Sequence, residues 1–314
     1  MGRTYLRPKF SFFAIVVFGL ALPVTASAVS AAPTAQQLAI KIKTATTTPT
    51  KVNLASQIQA AQRSSYKDGP CFQEQSTPGN QFSQCDFGAV SAKKIVVLLG
   101  DSTAAMWLPA FDAAGRAHQF HVILLARIGC NLHGIILKSW TGAVDPQCAV
   151  FRSAAVDFIK NLQKPQVFIV QQNRNPVTAS GHPVTSTEWI SAMKTFYSKL
   201  KAAGATVAFI EPAPVDPIDA ATCLSQNSRT STKCNFPASA GFIRTAKDAD
   251  DQAAAAAKVP TINTLSLFCT SSSVTAATIC PVQVDGTLVY ADRWHINRRY
   301  SEYVWQGLAA LLKL

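Results

Sequence analysis

Three residues that lie far apart in the chain carry side chains that could together run nucleophilic chemistry: Ser102, Asp292 and His295. Ser102 stands in Gly100-Asp101-Ser102-Thr103-Ala104, directly after the apolar run Ile95-Val96-Val97-Leu98-Leu99. A serine at the end of such a run exposes its hydroxyl, and its backbone N–H lies at a helix start, where negative charge is favoured. Both features suit a nucleophile whose attack generates an oxyanion. Asp292 and His295 are three residues apart in Tyr290-Ala291-Asp292-Arg293-Trp294-His295. A carboxylate at that spacing reaches the imidazole within one turn of backbone, fixing its tautomer and stabilising the imidazolium. Taken singly, each motif has a plainer meaning: Gly-Asp-Ser is also a turn or helix cap, and Asp-x-x-His is also an N-cap with an incidental histidine.

Other chemistries fit less well. The nucleophile elbow Gly-x-Ser-x-Gly is incomplete, because Ala104 stands where its second glycine belongs. His118, His121, His133 and His182 lie apart from any carboxylate or cysteine pattern with ligand spacing, and there is no Cys-x-x-Cys, so no metal site and no cofactor are expected.

The elements that would position these residues alternate between strand and helix. After Ile95-Val96-Val97-Leu98-Leu99, apolar side chains at helical spacing predict a helix over 104–118. Strands are predicted over 120–126, 165–170, 206–210 and 259–263, and helices over 149–162, 187–203 and 238–258. A closing helix carries Tyr300, Tyr303, Val304, Leu308 and Leu311 on one side. This rhythm implies an α/β three-layer sandwich around a central parallel sheet, with ligands bound beyond the carboxyl ends of the strands. Gly129 follows the second strand, and Asn173 and Asn175 follow the third.

The amino terminus reads as an export signal. Arg3, Arg7 and Lys9 precede an apolar run over 10–22, and Ala26-Ser27-Ala28 offers a small-residue cleavage site. Residues 1–28 are therefore a signal peptide or an uncleaved anchor, with cleavage near Ala28 the favoured reading because the run is short for a span of ~20 residues. Residues 29–66, rich in Ala, Thr and Gln, read as a partly helical tether, with Leu38, Ile40 and Ile42 in one candidate helix and Leu54, Ile58 and Ala61 in another. One domain then fills 67–314. The eight cysteines suit an oxidising, extracytoplasmic compartment. They fall as four close couples, Cys71 with Cys85, Cys130 with Cys148, Cys223 with Cys234, and Cys269 with Cys280.

The formal charge is +12, and removing residues 1–28, with Arg3, Arg7 and Lys9 and no acid, leaves +9. Such an excess outside the cytoplasm favours attraction to anionic cell-surface polymer or lipid headgroups. The basic residues are scattered without aromatic interleaving, which argues against nucleic acid. Trp107 and Trp294, beside the two motifs, read equally as core packing or as sugar-stacking platforms.

In combination, the export signal, the strand-end Gly-Asp-Ser, Gly129, the asparagines after the third strand and the terminal Asp-x-x-His resemble the SGNH (GDSL-like) hydrolase superfamily. The resemblance implies Ser102 as nucleophile, His295 as base and Asp292 as acid. It implies an oxyanion hole built from the N–H groups of Ser102 and Gly129 and an asparagine. The family's Gly-x-Asn-Asp is replaced by Asn173-Arg174-Asn175-Pro176, so either Asn175 or Asn173 is the third donor. Asp68-Gly69-Pro70-Cys71, Cys85-Asp86-Phe87-Gly88 and the later cysteine couples narrow the resemblance to the SGNH domain fused to acyltransferase-3 membrane proteins. In those proteins the serine is usually followed by His-Ala, where this chain has Thr103. That resemblance implies a serine O-acyltransferase, commonly O-acetylating, or, with water as acceptor, an acetylesterase, acting on cell-surface polysaccharide; a monomer is expected. As a transferase it would need a separate membrane protein to deliver the acyl group. A lipase-like esterase, should the pocket beside Trp107 and Trp294 be long and apolar, and a non-catalytic glycan-binding module are the competing readings.

Overall fold

The computed structural model describes residues 32–50, 71–82, 85–138, 142–171, 176–227 and 230–314. The strands in chain order are β1 (Phe72–Gln73), β2 (Asp86–Gly88), β3 (Ile95–Gly100), β4 (His121–Arg127), β5 (Gln166–Val170), β6 (Thr206–Ile210), β7 (Phe236–Pro237), β8 (Thr261–Ile262), β9 (Ile279–Cys280), β10 (Gln283–Val284) and β11 (Thr287–Leu288). The α-helices are α1 (Ala35–Thr47), α2 (Ser102–Ala105), α3 (Leu108–His118), α4 (Pro146–Lys160), α5 (Ser186–Ala202), α6 (Ala220–Gln226), α7 (Arg244–Ala256), α8 (Arg298–Tyr303) and α9 (Trp305–Leu312).

Five strands form a parallel sheet in the order β4-β3-β5-β6-β8. Successive residues of β3 are buried on opposite faces, which is why its sequence is apolar without alternation. Val96 and Leu98 pack in one core cluster with Phe111, Tyr300 and Leu308. Val97 and Leu99 pack in the other with Phe151, Phe196 and Ala253. The chain moves from β3 to β4 on one side, then crosses to β5, β6 and β8 on the other. The order therefore reverses between β3 and β5, and the crevice beyond their carboxyl ends is where such sheets bind ligands.

The outer edge of β4 is shared. β1 runs parallel to Ala126 and Arg127, and β2 runs antiparallel to the segment from His121 to Ile123. The Cys71–Cys85 disulfide joins the two short strands; the other bridges are Cys130–Cys148, Cys223–Cys234 and Cys269–Cys280, the couples that the spacing predicts. Arg127, fully buried at the end of β4, spends all five of its N–H donors. Nε and Nη2 clasp the Asp145 carboxylate, Nη1 reaches Gln73 Oε1 and the Thr77 carbonyl, and Nη2 also reaches the Gln75 carbonyl. A buried cation is tolerable on those terms. Asp145 in turn caps α4 through the Gln147 N–H.

Several elements differ from the sequence reading. The predicted helix over 104–118 is broken into α2 and α3 around Met106 and Trp107, with Pro109 in the first turn of α3. α4 begins at Pro146, because Asp145 caps it and Pro146 takes a position whose N–H has no helical partner anyway. The helix predicted over 238–258 starts only at Arg244, after a single 3-10 turn ending at Gly241. The tether expected over 29–66 does not hang free in its described part. α1 buries Leu38 and Ile42 in the core, Lys41 pairs with Asp285 at 2.5 Å, and Gln306 of α9 donates to the Ala32 carbonyl. Two apolar residues four apart suffice to dock a helix, and the surrounding Ala, Thr and Gln hide them from a reading by composition. The signal segment and the second candidate helix near Leu54 lie outside the described residues. No helix among the described residues is long and apolar enough to cross a membrane.

Candidate active site

Ser102 is the first residue of α2 and sits at the reversal point of the sheet. Gly100 ends β3 between Ala126 and Val170. A Cβ on Gly100 would fall 1.8 Å from the Val170 carbonyl oxygen. No other residue fits between the strands there, which is the physical reason for a glycine two places before the serine. Asp101 caps α2: its Oδ1 accepts from the Thr103 N–H at 2.7 Å and from the Thr103 hydroxyl at 2.5 Å. The threonine that departs from the family's pattern thus completes the cap. Ser102 is 8% exposed. Its backbone N–H, and that of Gly129, donate to no acceptor among the described residues.

His295 and Asp292 arrive on the tight loop between Tyr290 and Ile296, ahead of the helix and not on its entry. The Ala291 N–H donates to the His295 carbonyl, the Asn297 N–H donates to the Val289 carbonyl, and Asn297 then caps α8. Asp292 Oδ1 accepts from the N–H groups of Trp294 at 2.7 Å and His295 at 2.8 Å, which curls the loop around the carboxylate. Both Asp292 oxygens lie 2.8–2.9 Å from His295 Nδ1. On the other side of the ring, His295 Nε2 is 2.9 Å from Ser102 Oγ. A carboxylate at Nδ1 fixes the proton there and leaves the Nε2 lone pair facing the serine hydroxyl. Burial alone would raise the Asp292 carboxyl, but its hydrogen bond to His295, the imidazole charge and the two backbone N–H groups outweigh it and hold the group below the usual range. The loop is anchored outside the triad as well. The Ile296 N–H meets Met106 Sδ at 3.4 Å, and Arg293 donates to the Pro217 carbonyl.

The remaining sequence candidates separate. Gly129 adopts φ +61° in the turn after β4, three residues past Ala126, the partner of Gly100. Asn173 and Asn175 lie outside the described residues. Trp107 is a correction: it is fully buried with its ring edge-on to Phe268, so it packs the core and offers no face to a sugar. Trp294 is half-buried with the Arg293 guanidinium 5.8 Å from its ring. The four other histidines are dispersed. His118 meets Trp305, His121 pairs with Asp86, His133 packs against Trp189 with the two rings tilted, and His182 bonds Thr178 and Ser180. No group of three or more metal-ligating side chains occurs among the described residues.

Sequence reasoning did not find the buried acid behind this site. Asp250 of α7 is buried; its Oδ1 accepts from Trp189 Nε1 at 2.6 Å and its Oδ2 has no hydrogen-bond partner among the described residues. Burial pushes its carboxyl well above the usual range, with the charges of Asp251 and Asp101 adding to the effect. Its spacing in the alanine-rich α7 reads as surface, and only its depth shows otherwise.

A parallel sheet reversing at a strand-end serine, with an Asp-x-x-His loop closing on that serine, defines a serine-centred α/β domain of the SGNH type. The chain belongs to the SGNH domain family found fused to AT3 domains, which it matches over residues 70–308. Among solved structures it resembles the periplasmic domain of a lipopolysaccharide acetyltransferase from Salmonella ser. Paratyphi A, at 14% identity over 83% of this chain and 97% of that one, with a TM-score of 0.60. More distant likenesses include a candidate SGNH hydrolase from Slackia heliotrinireducens (17% identity, 70% of this chain and 98% of that one, TM-score 0.39) and a GDSL-like lipase from Bacteroides thetaiotaomicron (13%, 70% and 89%, 0.37). No curated protein matches the sequence.

Proposed function

We propose that this protein is an extracytoplasmic serine O-acyltransferase or acetylesterase acting on cell-surface polysaccharide. The observation that carries the reading is the 2.9 Å approach of His295 Nε2 to Ser102 Oγ, with Asp292 behind the ring. Ser102 Oγ attacks the acyl carbonyl carbon as its proton passes to His295 Nε2. The carbonyl oxygen becomes an oxyanion, and the unengaged N–H groups of Ser102 and Gly129 are its donors, with Asn175 or Asn173 as third. Collapse of the intermediate breaks the bond to the leaving group, which takes the proton from His295. A sugar hydroxyl or water then gives its proton to His295 and attacks the acyl-serine carbonyl. The bond from the acyl carbon to Ser102 Oγ breaks, Oγ takes the proton back from His295 Nε2, and the acylated sugar or free acid leaves.

Family membership supports acyl chemistry, and the disulfides support an oxidising compartment. Fusion of related domains to AT3 domains supports a separate membrane protein as acyl donor for this chain, which would work as a monomer on a glycan or its acyl ester. The assembled Ser102–His295–Asp292 set speaks against a purely glycan-binding module. The lipase-like reading required a long apolar pocket beside Trp107 and Trp294, and the burial of Trp107 removes one of its walls. The direction of the reaction is tested by supplying 4-nitrophenyl acetate with and without an oligosaccharide acceptor. A transferase yields acetylated sugar by mass spectrometry at the expense of free acetate. Acetate alone, undiminished by acceptor, identifies an esterase, and neither product overturns the acyl-transfer reading.

A further inference from the structure

Beside the turn that carries Gly129, a cleft opens along α4. Its near part, of about 280 Å³, is walled by Gly129, Ile136, Leu137 and Val144. Its far part, of about 480 Å³, runs between α4 and α5 past Leu132, Val156 and Phe196. Arg152 lines both parts. Together they have the volume of an ordinary ligand site.

Arg152 differs from the buried Arg127 in one respect beyond its partial exposure. In Arg127 the planar Nε–Nη2 edge is filled by the Asp145 carboxylate. In Arg152 only Nη1 is engaged, by the Asn131 carbonyl at 3.1 Å and by Cys148 Sγ at 2.9 Å. Its Nε and Nη2 donate to no acceptor among the described residues, and no carboxylate there forms an ion pair with it. Asp145, whose charge acts on it, is already committed to Arg127. The guanidinium is half-buried, and burial pulls it below the ordinary arginine range. The Nε–Nη2 edge can take a carboxylate or phosphate through two parallel hydrogen bonds. Lys138 and Lys199 add positive charge to the walls, and among the described lining residues Asp157 is the one carboxylate not already paired with an arginine.

We propose that this cleft seats an acidic saccharide, whose carboxylate or phosphate takes the open edge of Arg152 while its sugar faces lie against the apolar walls. The inference rests on the reading of Ser102 as the acyl-transferring serine. It then names the acceptor's class: a polymer bearing oxyanions, threaded past Gly129 toward the serine.

Calorimetric titration of the full chain carrying Ser102→Ala tests this without turnover, so it can be met or failed independently of whether Ser102 is a nucleophile. The ligands are a galacturonate hexamer, phosphorylated maltohexaose, unmodified maltohexaose and octanoate; the first two distinguish carboxylate from phosphate. One or both acidic oligosaccharides are expected to bind at least about tenfold more tightly than maltohexaose. Arg152→Gln is expected to weaken that binding by about ten- to hundredfold, the range for a charge-assisted pair. Arg152→Lys recovers only part, since an ammonium cannot make the fork. Ile136→Glu, at a wall residue 59% exposed, also weakens acidic ligands without disturbing the core. Lys94→Gln, the same charge change at the amino end of β3, leaves Kd unchanged. Absence of binding, equal affinity for the neutral chain, a preference for octanoate, or an Arg152→Gln protein that binds like Lys94→Gln would each overturn the proposal.

Discussion

Replacing Asp292 by Asn isolates one negative charge behind the Ser102–His295 pair. An asparagine Oδ1 can still accept from the Trp294 and His295 N–H groups, as the aspartate does at 2.7 and 2.8 Å, so the loop keeps its shape. What changes is the partner of His295 Nδ1. An amide N–H facing Nδ1 makes it an acceptor, moves the ring proton to Nε2, and turns Nε2 from a base into a donor toward Ser102. Unit charges at the 2.8 Å seen here interact by roughly 6 kcal/mol at an effective dielectric of ~20. That figure is a ceiling, because the Asp292 side chain is 45% exposed and water screens it. A fall in kcat of about 10³- to 10⁴-fold, roughly 4–5.5 kcal/mol, lies under the ceiling and is the size such a tautomer error brings. The assay is 4-nitrophenyl acetate hydrolysis, with KM expected within about threefold of wild type by the same reasoning. Because the Asp292 carboxyl is held below its usual range, its contribution to stability is present above pH ~3.9 and is lost as pH falls through the folded value. The variant should therefore melt with a flatter acid limb below about pH 4. A kcat within about tenfold of wild type would refute the reasoning, since neither tautomer nor charge would then depend on Asp292.

Two further perturbations probe the scaffold. Burial raises the Asp250 carboxyl, so the folded protein holds this proton more tightly than the unfolded chain and loses stability as pH rises above ~3.9 toward the folded value. Asp250→Asn should melt higher than wild type at neutral pH, with the gain shrinking toward pH 4; a pH-independent difference would contradict this. Gly100→Ala forces a methyl to 1.8 Å from the Val170 carbonyl oxygen, so β3 and β5 must part. Urea unfolding is expected to show a loss of about 3 kcal/mol or more, or no soluble protein at all; an unchanged midpoint would show that the strands are not in this register.

What was legible in the sequence was local. The unbroken apolar run of β3 shows a strand buried on both faces, Gly-Asp-Ser and Asp-x-x-His each fit within one turn of backbone, and the cysteine couples close short loops. What failed was decided by distant partners. Trp107 reads equally as a core residue or a stacking platform until Phe268, far along the chain, is placed against it. Leu38 and Ile42 read as a tether until α9 supplies a surface, with Gly307 leaving the room. The starts of α3 and α4 are signalled locally, by Pro109 and by Asp145-Pro146, so those boundaries lie within what the sequence itself carries. Arg152 could not be singled out from sequence at all, because its meaning lies in which edge of the guanidinium is left open.

The most direct test of the central proposal is hydrolysis of 4-nitrophenyl acetate and octanoate by the mature protein and by its Ser102→Ala variant. Acetate turnover that disappears in the variant, with acetate favoured over octanoate, is the expected result. Turnover that survives the loss of the Ser102 hydroxyl would contradict the account, because the 2.9 Å contact with His295 would then be geometry without chemistry.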